Sequence, residues 1–300
     1  MNKTWQLALL AVSIFLGIAF PQLAAFCKPV LLPIIFLLFL CAVLQVSFTD
    51  AITTAVNEKS SWITLVWQLL LLPLLLFVFL RPILSEQLHS FAVVSMCAGS
   101  ITATTALARL FNLNSSLALV ACIGGAVLMP LPLYFFLMLL TGSEVSLDLK
   151  VYSIRIFVFI VVPIVLAVVI RKIVSSSTDE WLMRKMPTVA LGLLVVFGLA
   201  VMDGVGELML SDPKRLVSYM ALAFGISIGV QLLTYFGLYF LGRRNATTAA
   251  MLCSYRNMGL VAAIAGPVLG EDFFIFLGVW QFPMYLLPWL LQKLYVTHER

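Results

Sequence analysis

Ten long apolar runs dominate this sequence, and they leave it almost no way to fold in water. They cover residues 5–26, 29–48, 62–83, 89–111, 115–140, 150–172, 186–206, 217–241, 246–266 and 272–295, with polar or charged breaks between them. Each is long enough to cross a hydrocarbon layer ~30 Å thick as an α-helix. Backbone amides in lipid must be satisfied within their own segment, so helix is the state expected for runs of this length. Composition agrees. The 300 residues are 63% hydrophobic and 10% charged, whereas a soluble domain carries roughly 25% charged residues. The apolar surplus therefore faces lipid, and the short connections leave no room for a soluble domain of useful size. The expectation is an all-α membrane protein with ten transmembrane helices.

Other classes find little support. Cys27, Cys41, Cys97, Cys122 and Cys253 lie in or beside apolar runs and form no Cys-x-x-Cys pair, as expected of small buried residues. His89 and His298 are far apart and read as loop or tail, so no metal site is expected. No cofactor is expected either, and no nucleophile–base pair suggests an enzyme. The net charge of +5 comes from residues at helix ends and is not a nucleic-acid footprint. Trp5 to Phe26 is too long, and too poor in a following small-residue cleavage pattern, to read as a signal peptide, and is taken as the first span.

Lys and Arg set the orientation. With ten spans both termini share a side, and that side receives Lys3, Lys59, Arg109, Arg171, Lys172, Arg184, Lys185, Arg243, Arg244, Lys293 and Arg300. The other side receives Lys28, Arg81, Lys150, Arg155, Lys214 and Arg215. The richer side, with both termini, is expected to be cytoplasmic, in a cell (inner) membrane. One of the 18 basic residues is left over: Arg256, inside the ninth span.

The two halves, residues 1–145 and 146–300, look alike in outline. The first and sixth spans carry mid-helix prolines, Pro21 and Pro163. The fifth and tenth carry proline pairs near aromatic residues: Pro130 and Pro132 beside Tyr134, Pro283 and Pro288 beside Tyr285. The fourth and ninth are the most polar of their halves. Five spans per half is odd, so such a repeat is inverted in the membrane, the signature of secondary transporters.

The fourth span reads Ser95-Met96-Cys97-Ala98-Gly99-Ser100-Ile101-Thr102-Ala103-Thr104-Thr105. Small and hydroxyl residues can pack helices closely or bond to the preceding turn. As a cluster, Gly99, Ser100, Thr102, Thr104 and Thr105 suit a locally unwound helix whose freed backbone lines a cavity. The ninth span reads Leu252-Cys253-Ser254-Tyr255-Arg256-Asn257-Met258-Gly259-Leu260. Arg256 cannot be neutralised, and at mid-membrane it costs at least ~2.5 kcal/mol. No acid is expected at its depth; the nearest candidate is Asp203, near the outer end of the seventh span. The guanidinium is then held by neutral acceptors, by water, or by an anion, whose carboxylate it matches with two parallel hydrogen bonds. Three readings stand side by side: an anion-binding or gating residue, with Ser254, Tyr255, Asn257 and Gly259 around it; a residue that ties together the carbonyls of broken helices; or a shifted topology that puts Arg256 near the interface. Asn112 and Asn114 are expected to cap a helix starting near Ser115. Arg109, Arg243 and Arg244 read as interface anchors, and Trp62, Trp67, Trp280 and Trp289 as interface or packing residues.

These two segments resemble the bile acid:sodium symporter family of ten-helix organic-anion transporters. Cys97 to Thr105 looks like the family's fourth-span break, and Leu107 to Ala118 like the turn into its fifth helix. Asn257, Gly259 and Leu260 match the second half of its ninth-span pattern, Glu-x-Gly-x-Gln-Asn-x-Gly-Leu. The glutamate of that pattern is Leu252 here and the glutamine is Arg256. The family's Ser-Asn pair falls on Ala103–Thr105, and a later serine on Ala118. Those positions are the ones that the resemblance implies for two sodium ions. Leucine and alanine offer no ligand, and a guanidinium ~4 Å from sodium repels it by about 4 kcal/mol at an effective dielectric of 20.

The resemblance implies a panel of helices 1, 2, 6 and 7 and a core of helices 3–5 and 8–10, with broken helices 4 and 9 crossing at mid-membrane and substrate in the crevice beside the crossing. It implies transport of a small organic anion by alternating access, with half-helix N-termini adding partial positive charge. The departures predict that sodium coupling is lost and that Arg256 supplies a fixed charge in its place. The alternatives are a sodium-coupled symporter and a membrane sensor that binds the anion without moving it.

Overall fold

The structure, a computed structural model, describes residues 3–45, 58–101, 103–141, 148–174 and 176–295, and every regular element among them is helical. In chain order the α-helices are α1 (Lys3–Ala19), α2 (Pro21–Cys27), α3 (Leu31–Leu44), α4 (Lys59–Val66), α5 (Leu72–Leu80), α6 (Glu86–Met96), α7 (Ala103–Leu110), α8 (Ser115–Leu128), α9 (Pro130–Thr141), α10 (Leu149–Ile156), α11 (Val162–Ile173), α12 (Ser176–Ala200), α13 (Val205–Ser211), α14 (Pro213–Gly237), α15 (Arg243–Ser254), α16 (Met258–Leu269), α17 (Glu271–Leu290) and α18 (Gln292–Tyr295).

Among the described residues six helical runs are long and apolar enough to cross a membrane: Pro21–Leu44, Lys59–Leu80, Leu149–Ile173, Arg184–Ser211, Pro213–Gly237 and Glu271–Leu290. A seventh is added when α8 and α9, bent by 51° where Pro130 interrupts them, count as one. The regular structure of the described residues is thus helical throughout, with several apolar helices long enough to cross a membrane, consistent with an integral membrane protein.

Proline sets where these runs bend and break. Pro21 lacks an N–H and disfavours helical backbone in the residue before it. Phe20 accordingly leaves the helix, at φ −124° and ψ 77°. The first apolar run therefore ends at Ala19, not near residue 26. Lys28, expected in a loop, lies in a 3₁₀ turn within the continuous run from Pro21 to Leu44. Pro163 acts differently. The five residues before α11, Phe157–Val161, widen into a π-helical turn, and the Val162 N–H reaches back to the Phe157 carbonyl. Pro21 and Pro163, paired in the sequence, thus shape the backbone in different ways. The closer parallel to Pro163 is Pro73. A π-helical turn at Trp67–Leu71 precedes it, and the Leu72 N–H bonds to the Trp67 carbonyl.

The chain divides into two compact units. One comprises Met1–Ser47, Asp148–Ser218 and Ala262–Val279. Within it α12 lies along α1, α2 and α3, and α11 along α3. The other comprises Phe48–Leu147, Tyr219–Val261 and Trp280–Arg300. At its centre is α8, which touches α4, α7, α9 and α15. Small residues make these approaches possible: Ala118, Ala121, Cys122 and Ala126 of α8 are buried. A Cβ added at Gly99 would fall 2.6 Å from the carbonyl carbon of Gly125, also on α8.

Candidate functional site

In the second unit two helices stop short and restart. The first stops at Met96 and resumes at Ala103; the second stops at Ser254 and resumes at Met258. The breaks meet as a short antiparallel pairing of Ser100 with Arg256. The Asn257 N–H donates to the Gly99 carbonyl at 2.8 Å, and the Ile101 N–H to the Tyr255 carbonyl at 3.0 Å. Each break thus satisfies backbone groups that the other leaves without an intrahelical partner, as buried peptide groups require. Gly99 is needed here because its backbone lies against that of Gly125 with no room for a side chain.

Arg256 has no exposed surface. Its Nη1 donates to the Ala98 carbonyl at 2.8 Å and its Nη2 to the Gln68 carbonyl at 3.3 Å, with the Met96 sulfur 3.7 Å from Nη2. Both carbonyls are free for local reasons. Ala98 lies just past the C-terminal end of α6, where carbonyls lack intrahelical donors. Gln68 lies in the π-helical turn, where the donor five residues on would be residue 73. That residue is proline and has no N–H. The partial negative charge of the α6 C-terminus also favours a cation. Nε is buried and without a partner. Among the described residues no carboxylate forms an ion pair with Arg256.

The other expected site residues are distributed around this crossing. Ser100 is buried, and its single O–H is shared between the Gln68 Oε1 at 2.9 Å and the Leu252 carbonyl at 2.8 Å. Asn257 accepts the Leu260 N–H on its side chain at 3.3 Å, capping α16, and Gly259 lies in the first turn of that helix. Ser254 turns away to the Ser227 carbonyl at 3.0 Å. The Tyr255 hydroxyl lies 2.6 Å from that of Tyr295, which also bonds Gln231. Thr104 and Thr105 contact Cys122 on α8, with Thr104 also bonded to the Ile101 carbonyl. Thr102 lies outside the described residues.

Gln68 was missed in the sequence, although its side chain links the crossing to α8. Fully buried, it donates to the Ala121 carbonyl at 3.0 Å while accepting from Ser100. The signal was present: one amide in the apolar 62–83 run, five residues before Pro73.

Other expectations fare variously. Asn114 caps α8, accepting from Ser116 and Leu117 at 3.1 and 3.0 Å. Asn112 instead adopts a left-handed φ of 54°, and its carbonyl, with that of Leu113, accepts from Arg244. Arg244 is thus a turn-binding residue as well as an exposed one. His89 is in the first turn of α6, not in a loop, and its ring lies 2.9 Å from the Phe77 carbonyl. His298 lies outside the described residues. Trp280 is fully buried, while Trp62 and Trp289 are exposed.

The first unit carries a different kind of charge. Lys28 holds Asp203 and Glu271, each at 2.9 Å, and Arg215 pairs with Asp272. A cavity of about 220 Å³ opens among Lys28, Asp203, Glu207, Glu271 and Phe274. Asp203, the acid expected nearest to Arg256, is thus engaged by lysine.

No protein-family model matches the chain, and no curated protein matches it.

Proposed function

We propose that this protein is a secondary transporter of small organic anions, working by alternating access and without sodium. The observation that carries this reading is the antiparallel meeting of two broken helices around a permanent cation that has only neutral partners. Interrupted apolar helices are a costly feature that transporters use at their binding sites. On this reading the ten-helix layout takes the six long runs, the bent pair, the short first helix and the two broken helices as one span each. Two inverted five-helix repeats, both termini cytoplasmic and kinship with the bile acid:sodium symporters belong to the same proposal.

The loss of sodium coupling has its own support. Leu252 and Ala118, which stand where the resemblance implies sodium ligands, belong to one buried apolar cluster with Cys122, Met251 and Leu287. Such a surrounding offers a hard cation nothing. Arg256 brings a charge that cannot dissociate, held on two backbone carbonyls.

The test is uptake of labelled small carboxylates by proteoliposomes holding the purified protein. Saturable flux, unchanged when choline replaces sodium, is expected. Flux only with sodium would favour the symporter. Saturable binding with no flux, even by countertransport, would make the protein a sensor.

A further inference from the structure

A second guanidinium lies within an apolar span, and it differs from Arg256 in having surface left to offer. Arg155 sits six residues past Leu149 in the Leu149–Ile173 run, about 9 Å along its axis at 1.5 Å per residue. Arginines near helix ends usually turn toward the interface. This one turns inward: its Nη1 donates at 2.7 Å to the carbonyl of Ala263, a residue with no exposed surface. Ala263 is four residues before Pro267 of α16. In an α-helix its carbonyl would take the N–H of residue 267, which proline lacks.

A carbonyl freed by proline therefore fixes the direction of the guanidinium. One of its five N–H groups is used there. Among the described residues Arg155 forms no ion pair, and it is only half-buried. Its neighbours one helical turn away, Val151, Tyr152, Val158 and Phe159, carry no charge. An oriented, uncompensated cation on an apolar helix suits a carboxylate attached to an apolar body, bound through two parallel N–H groups.

We propose that Arg155 is the residue that first takes the carboxylate of the transported anion. The assignment rests on reading the chain as an anion carrier, and it gives Arg155 the direct contact that the enclosed Arg256 does not offer.

The full-length protein in neutral detergent tests it, with melting followed against acetate, butyrate and benzoate, and separately against phosphatidylglycerol. At least one carboxylate should raise the melting temperature of the wild type. Arg155→Gln keeps a polar, donor-bearing side chain at this position but carries no charge. It should melt close to the wild type without ligand and bind the carboxylate roughly ten- to a hundredfold more weakly. Arg155→Lys should keep part of the response. The proposal is overturned if no carboxylate stabilises the wild type, if Arg155→Gln responds like the wild type, or if only phosphatidylglycerol stabilises in an Arg155-dependent way, which would make the residue a lipid-phosphate contact. Proteoliposome flux separates the two readings. Carboxylate stabilisation that needs Arg155, without flux, sinks the carrier and spares this site. Undiminished flux in Arg155→Gln sinks the site and spares the carrier.

Discussion

Lys28 and Arg256 each hold two oxygen partners at close range, and the partners are of opposite kinds. The lysine, with 43% of its side chain exposed, holds two carboxylates. The arginine, wholly enclosed, holds two backbone carbonyls and no carboxylate. Exposed charges can form ion pairs cheaply, because water still shares the solvation, but such pairs contribute little. An enclosed cation has no water, so its solvation must be built into the fold. Here it comes from carbonyls left free by a helix end and by Pro73. Arg155 on the Ala263 carbonyl repeats the device once more.

The contrast can be broken most severely at Arg256. Arg256→Ala should abolish saturable anion flux while leaving the protein folded and extractable. The two abandoned carbonyls cost ~1–3 kcal/mol each, but removing a buried guanidinium returns a similar amount. Detergent extraction with size-exclusion chromatography, beside the flux assay, checks both halves. Gly99→Ala comes next. Its Cβ would meet backbone atoms of Gly125 and Ala126 within 3 Å, and backbone cannot give way as a side-chain tip can. A loss of ~1–3 kcal/mol or more is expected, read as a fall in melting temperature.

Smaller effects sharpen the same comparison. Gln68→Leu leaves the carbonyl to Arg256 intact but strips the Ser100 and Ala121 contacts. Ser100 keeps its bond to Leu252, so the loss should be about 1–2 kcal/mol. Lys28→Met should cost less than ~1 kcal/mol, and the difference from wild type should shrink further in high salt. A large, salt-insensitive loss there would erase the distinction between the two cations.

How far the sequence could be read follows from the same physics. Arg256 was legible because a permanent charge inside an apolar run is expensive wherever the fold puts it. The breaks were legible in Gly99 and in Asn257, and the cap in Asn114. The partners were not. The Gln68 carbonyl becomes available only because the backbone widens ahead of Pro73, and the choice between an α and a π turn depends on packing that no local pattern records. The boundary of the first run was misplaced for a similar reason. Apolarity continues through Pro21 and past Lys28, while the helix breaks at Phe20. Hydropathy reports which residues avoid water; it does not report where an amide donor is missing.

On the proposed reading the Arg256 guanidinium stands permanently at the crossing in place of a sodium ion. Thermal unfolding of the wild-type protein in sodium and in choline, at equal ionic strength and without substrate, puts that reading to the test. The melting temperatures should coincide. A clear rise in sodium that saturates with its concentration would mean that a metal ion still binds the folded protein, and would contradict the claim.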